Sequence, residues 1–451
     1  MLPPSSPVVS FGKHLVAIVL LVGMPLMVWT QGKQPPLPAR PVYTAELSAP
    51  TVQAGGHSIS TLRTAAFQYI SQYLQQTLED QALASDLSPE QLIARFLNPA
   101  TAMAIRKIDA WRLANLASPA AKAALLQMLE FGPELLRAAV AEALGHSPWP
   151  EAREILQQLL AVEQSPAVLK GVISGLAFIG TDDAISPLTA LLHNAQTDAT
   201  IRNLIARKLG DVQTPAALAA LLAAIALGLP EDTLLSVAAG LAKYPFAKTA
   251  DSYRQLLADQ HLSATFKAEA TETLAVANHQ ALPFLLATAA HFPDAEVRAA
   301  AAWAAGFNPE SGHLGQQLAK LVATEPDDEV RRRLYEALMR QDAIPSQPLL
   351  ELALAENDPA TWVAAANMLA ISLQQSGSDG ILRQRFNQEA VPGLLATALD
   401  TTNTNLRFRA VFALARAGTA DAQEALAIVS RQADPQLAGL ATSALGQTTK
   451  P

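Results

Sequence analysis

Cysteine is absent from the 451-residue chain, which excludes disulfides, thiol catalysis, Cys-ligated zinc and lipid attachment through an N-terminal cysteine. Aromatic residues are scarce, at 5%, although half of the residues are hydrophobic. A core therefore has to be built mostly from Ala and Leu, which suit close-packed helices, and the β-branched and aromatic runs that mark strands are few. Positive charge in excess is missing too. A net charge of −8 argues against a nucleic-acid footprint, which needs a basic face to neutralise phosphates. The H-E-x-x-H, G-x-S-x-G, Walker-type and dinucleotide glycine motifs do not occur, and each of those spacings carries a specific chemistry. The eight histidines are scattered, with no close pair at ligand spacing. The chain is thus expected to be non-catalytic, with no metal and no cofactor.

What is present is a pattern that returns. In DAEVRAAAAWAAGFN (294–308), Val297, Ala301, Ala304 and Ala305 lie at −1, 3, 6 and 7 from Arg298, offsets that share one helical face. The same face is read around Arg106, Arg137, Lys170, Arg202, Leu235, Lys267, Arg331, Trp362, Arg407 and Ala438. Successive anchors stand 31 to 33 residues apart, apart from one interval of 45 between Trp362 and Arg407. So regular a period marks a solenoid. A second helix precedes each patterned one, as in EAREILQQLLA (151–161), and Gly, Pro, Asn and Asp punctuate the junctions. The predicted fold is therefore all-α, about eleven two-helix repeats over 99–451. The long interval holds QQSGSDGILRQRFNQ (374–388), whose Gly and Ser residues predict a protruding loop.

Before the repeats the chain changes character. Residues 1–14 form a short lead, and Leu15–Thr30 is an uncharged apolar run closed by Trp29, read as one transmembrane signal anchor. At its end only Val28 and Thr30 approximate a cleavage signature, so the anchor is expected to stay. Residues 31–59 are rich in proline and read as an extended tether. Residues 60–98 have helical spacing and a capping box at Ser88 and Gln91, and are expected to cap the solenoid at its N-terminal end. The usual arrangement of such an anchor puts the repeats outside the cytoplasm, on the periplasmic or exterior face of the inner membrane.

The D-x-E-V-R-x-x-A-A-x-A-L pattern of Asp294–Ala305 and Asp327–Leu338 resembles HEAT repeats, especially the short bacterial type also found in phycobilin lyases. The resemblance covers about residues 99–447 and implies that the patterned helices line a concave face. It also implies an Asp–Arg ladder between neighbouring repeats, matched by Asp198/Arg202, Asp294/Arg298 and Asp327/Arg331 and interrupted at Leu235, Trp362 and Ala438. HEAT-like metal hydroxylases use His–Glu pairs, which this sequence lacks.

On the patterned helix the core side is set by −1, 3, 6, 7 and 10, so offsets 1, 5 and 8 should face away from it. Offset five supplies Trp111, Trp303, Glu336 and Phe412; offsets one and two add Arg332, Phe408, Arg333 and Arg409. Aromatic and Arg side chains together have the composition of an interaction hot spot, although a solenoid's curvature can instead tuck such rings against the next repeat. The function read from the sequence is a protein-binding scaffold or assembly factor of the bacterial cell envelope, its protein partner unidentified. The alternatives are an enzyme or cofactor-attachment factor of the bilin-lyase kind, implied by the resemblance alone, and a passive spacer.

Overall fold

A computed structural model describes residues 87–116, 118–376 and 380–448, all within one of the two units into which the chain divides, residues 70–451. The predicted anchor, the tether and the first helix of the predicted cap lie outside the described residues. Among those that are described there is no strand, and no helix is long and apolar enough to cross a membrane.

Helices come in pairs. The first four pairs are α1 (Pro89–Leu97) with α2 (Met103–Ala114), α3 (Pro119–Phe131) with α4 (Glu134–Gly145), α5 (Ala152–Val162) with α6 (Pro166–Ile179), and α7 (Asp182–His193) with α8 (Ala199–Val212). Next are α9 (Pro215–Ile225) with α10 (Glu231–Leu241), α11 (Phe246–Ala258) with α12 (Ala264–Glu272), α13 (Leu282–His291) with α14 (Ala295–Phe307), and α15 (Gly315–Thr324) with α16 (Asp328–Leu338). The last are α17 (Ser346–Leu354) with α18 (Pro359–Ser376), α19 (Gly380–Arg385) and α20 (Val391–Leu399) with α21 (Thr404–Ala417), and α22 (Ala420–Gln432) with α23 (Pro435–Thr448).

Local chemistry starts and stops these helices where the sequence says. Ser118, Ser165 and Thr214 each accept a hydrogen bond from a backbone N–H of the first turn and are followed by proline, whose missing N–H costs nothing there. The capping box at Ser88 closes in both directions with Gln91. Gly180 and Gly418 end α6 and α21 in the left-handed region.

Two layers result, one of first helices and one of second helices, with α2, α4, α6, α8, α10, α12, α14, α16, α18, α21 and α23 packing in series. Ala and Leu fill the space between the layers. Along the second-helix layer backbones approach closely: a Cβ on Gly145 would stand 2.3 Å from the Gly175 carbonyl oxygen, one on Gly171 2.1 Å from that of Ala138, and one on Gly210 2.5 Å from the Gly240 Cα.

Three expectations need correction. The described residues of the 374–388 segment, 374–376 and 380–388, are helix rather than loop: α18 runs on to Ser376, and α19 leads through a π turn at Phe386–Ala390 into α20. Leu382, Phe386 and, just past the segment, Ala390 stand four apart and are all buried, which gives the insertion an inward face of its own. The repeat frame also slips by one in α6 and α10. There Val168 and Thr233 take the core place that Val297 holds in α14, while Lys170 is exposed. The third concerns the ladder. Asp198, Asp294 and Asp327 cap their own helices by accepting backbone N–H bonds, and the acids that cross to the next repeat are others.

Those crossing pairs join Arg137 to Glu163, Arg298 to Glu325, Arg331 to Glu356 and Arg407 to Asp434. The carboxylates come from the junction between the two helices of the following repeat. Glu325 and Glu356 accept a two-pronged bond from their arginines at 2.8–3.0 Å, the geometry a guanidinium fork favours.

Candidate protein-binding surface

A second helix inside this array has neighbours on three sides: its own first helix and the second helices before and after it. The buried arc is therefore wider than two-layer amphipathicity suggests. Offset one falls in the seam at Ala268, Ala299 and Val363, all buried, and at offset five Asn367 is buried as well, while in α6 and α10 the slipped frame brings Gly175 and Gly240 to the core side. The Asn367 side chain even donates to the Arg409 carbonyl of the next second helix, at 3.0 Å.

What remains outward is a row at the C-terminal ends of the second helices: His146, Phe178, Asp211, Lys243, Val276, Phe307 and Arg340. Phe178, Val276 and Phe307 are exposed, the first two by more than half. Neighbours in the row touch. His146 lies between the Trp111 ring, 4.0 Å away, and the Phe178 ring. Asp211 pairs with Lys243. Phe307 stacks on Trp303, centroids 4.4 Å apart, and the Arg340 guanidinium sits 3.4 Å over its other face, a cation–π contact.

The predicted site residues divide into three groups. Arg332, Arg333, Glu336 and Arg409 come together around one carboxylate: Glu336 accepts from Arg332 at 2.7 Å, from Arg409 at 2.9 Å and from Arg333 at 3.4 Å. Arg332 and Arg333 also bind Glu329, so this cluster first ties α16 to α21. Trp303, Phe408 and Phe412 are half-buried, with Trp303 and Phe408 packed on the core and Phe412 beside Arg416 at 5.9 Å. Trp111 stands apart, with His146 near the other end of the array. Sequence reasoning missed His146, Phe178, Phe307 and Arg340. A large hydrophobic at the last or next-to-last residue before a Gly or Asn helix stop was the available signal for both phenylalanines.

Electrostatics sharpen the Trp111 end. Burial raises the Glu142 carboxyl above its ordinary range against the pull of Lys208 and Lys107. Burial, helped by Lys208, pushes the His146 imidazole down to about 4. His146 is therefore neutral when folded at pH 5–6, whereas the unfolded chain, at about 6.5, takes up a proton there. Its contribution is fully present above about pH 6.5 and is lost as the pH falls toward 4. The loss is expected to be on the order of 1 kcal/mol after discounting for solvent at this half-exposed ring. Urea unfolding at pH 7 and pH 5 measures it, and H146Q is expected to flatten the difference; an equal pH dependence in the variant would show that other groups carry it.

The family model for HEAT repeats matches residues 123–200 and 250–339, spans that take in the whole of α4 to α7 and of α12 to α16. Over those two spans the chain matches HEAT repeats. Among curated protein sequences none matches it. Solved chains that are similar include one from the structure of Kap95p binding to RanGDP, with 12% identity, a TM-score of 0.39, and 84% of this chain and 64% of that one covered. Kap121p gives 13%, 0.43, 88% and 48%. The chain thus spans less than two thirds of the length of either. Human deoxyhypusine hydroxylase gives 14%, 0.21, 83% and 98%. HEAT repeats host unrelated functions, so none of these likenesses assigns a partner or an activity.

Proposed function

We propose that this protein is a non-catalytic scaffold that docks a partner protein on its second-helix face, held at a bacterial inner membrane by residues 15–30 with the repeats outside the cytoplasm. The observation that carries the docking reading is the row from His146 to Arg340. It sets exposed aromatic rings and charged groups at the repeat period, on helices whose packing fixes their spacing. Exposed rings next to cations are what a partner's aromatic and acidic side chains bury against. Trp303 supports this row from beneath, and the Glu336 cluster fixes the helices that carry its C-terminal part.

The test is photo-crosslinking from position 307 of the full-length chain in membranes isolated from its own cells, with position 162, exposed at the end of α5, as control. A dominant adduct from 307 and none from 162 is the expected result. V276A combined with R340A should abolish the adduct while moving stability by about 0.5 kcal/mol or less, as exposed sites do. Equal labelling from both positions would overturn the docking reading, and absence of the chain from the membrane fraction would overturn the anchor.

A further inference from the structure

The arginine rungs that cross between repeats have a fixed register. Each acid lies 25 to 27 residues after its arginine, as in Arg331–Glu356, Arg137–Glu163 and Arg298–Glu325. Arg202 opens α8 in that register: its N-cap Asp198 stands four residues before it, just as Asp294 precedes Arg298 and Asp327 precedes Arg331. Yet the segment that should supply its acid, 227–229, reads Leu227, Gly228 and Leu229, and Gly228 has a φ of 61°. No ion pair involves Arg202 among the described residues, its Nε has no hydrogen-bond partner, and the residue is only 6% exposed.

A second polar group is orphaned beside it in the chain. The hydroxyl of Thr197, five residues before Arg202, is buried without a partner. In two of the closed rungs, those of Arg298 and Arg331, the residue five before the arginine is Pro293 or Pro326, whose carbonyl oxygen receives Nη1 at 3.0 and 2.9 Å. Arg106 shows that a missing acid need not leave the side chain unbound. Residues 131–133 after it hold no acid either, but its Nε donates to the Phe96 carbonyl at 2.7 Å and Nη2 approaches the Met128 sulfur at 3.4 Å. Arg202 has no such substitute. A guanidinium N–H withdrawn from water with nothing to receive it is disfavoured, while the guanidinium fork matches a carboxylate or sulfate-like group in two-pronged geometry.

We propose that Arg202 and Thr197 form a binding site for one oxyanion that closes the rung left open at 227–229. The oxyanion is either the carboxylate of a partner protein's acidic side chain or a free anion of the same chemistry. The site lies outside the row proposed for docking, so the two readings stand or fall separately.

The experiment is thermal unfolding of the full chain in detergent, followed by circular dichroism. Millimolar sodium sulfate and, separately, a tetraglutamate peptide are titrated against sodium chloride at matched ionic strength, which removes general salt effects. The wild type is expected to gain on the order of 2 °C, saturating as a single site does. R202M is expected to show no gain. L227E, which returns an acid to the register of Glu356, should melt above the wild type without added anion and gain nothing further. R331M, at a closed rung, should keep the wild-type response. Saturation by tetraglutamate at about tenfold lower concentration than by sulfate would assign the site to a protein carboxylate, and the reverse order to a free anion. No gain in the wild type with either probe, or an undiminished gain in R202M or L227E, would overturn the proposal.

Discussion

Replacing Gly145 by alanine is expected to destabilise the chain by about 3 kcal/mol or more, the range of severe overpacking in a core that cannot relax. The added methyl would stand 2.3 Å from the Gly175 carbonyl oxygen and 2.4 Å from its Cα. Both are backbone atoms of the next second helix, so no side chain can turn aside. Relief requires α4 and α6 to separate, which would open the Ala- and Leu-lined core beneath them. The matched control is Gly439 in α23, where an added methyl meets nothing within 4 Å. Alanine there is expected to stabilise by about 0.5–1 kcal/mol, because it removes only glycine's helix penalty. The same chemical change thus has opposite signs at two places in one array. Urea unfolding followed by circular dichroism reads both, and the first repeats should melt early in G145A because each repeat is held only by its neighbours. If G145A unfolds within about 0.5 kcal/mol of the wild type, the close approach of α4 and α6 is not a constraint on the fold.

The contrast shows what one sequence can disclose. The 31–33-residue step, the paired helices, the Ser–Pro and Thr–Pro helix starts and the box at Ser88 rest on residues within one or two turns of each other, and they were legible. Which side of a second helix meets solvent depends on residues a whole repeat away. Gly175 and Gly240 read as outward positions, yet both are buried, and a Cβ on either would strike the carbonyl of Ala141 or Ala206 on the preceding second helix, at 2.6 and 2.7 Å. Trp303 reads as outward and is half-buried, while Phe307, one turn on, carries the exposure. The rung arginines were legible as anchors, but the Asp four residues before them proved to be a cap. The true partners, Glu163, Glu325, Glu356 and Asp434, sit in junctions whose composition resembles any polar turn. The insertion was misread for a related reason. Its Gly and Ser residues flank a short apolar stripe, Leu382, Phe386 and Ala390, whose spacing is visible only once those residues have a surface to bury against.

Glu356→Ala is expected to cost about 2–4 kcal/mol, the penalty for stranding a largely buried charge and its donors. The carboxylate is 5% exposed and receives three donors: Arg331 Nε and Nη2 at 2.9 Å each, and the Tyr335 hydroxyl at 3.1 Å. Glu356 and the hydrogen bonds of this site hold the Arg331 guanidinium above its usual range. Burial, then the Glu356 charge, push the Tyr335 phenol up. Once Glu356 is gone, Arg331 retains exposed Asp328 and the carbonyls of Glu325 and Pro326, whereas fully buried Tyr335 loses its acceptor. Glu351 provides the comparison. It also pairs with an arginine, Arg385, but is 74% exposed, so E351A should change stability by about 0.5 kcal/mol or less. The double variant R331M/E356A removes both charges and is expected to recover part of the loss, since the cost of E356A comes from the uncompensated partner more than from the missing attraction. A double-mutant cycle in urea decides this. Additive losses, or an E356A no worse than E351A, would mean that the rung does not hold α16 against the α17–α18 junction. Since Phe307 ends α14 and Arg340 follows α16 by two residues, a real rung also predicts that E356A weakens crosslinking from position 307 without altering any residue of the docking row.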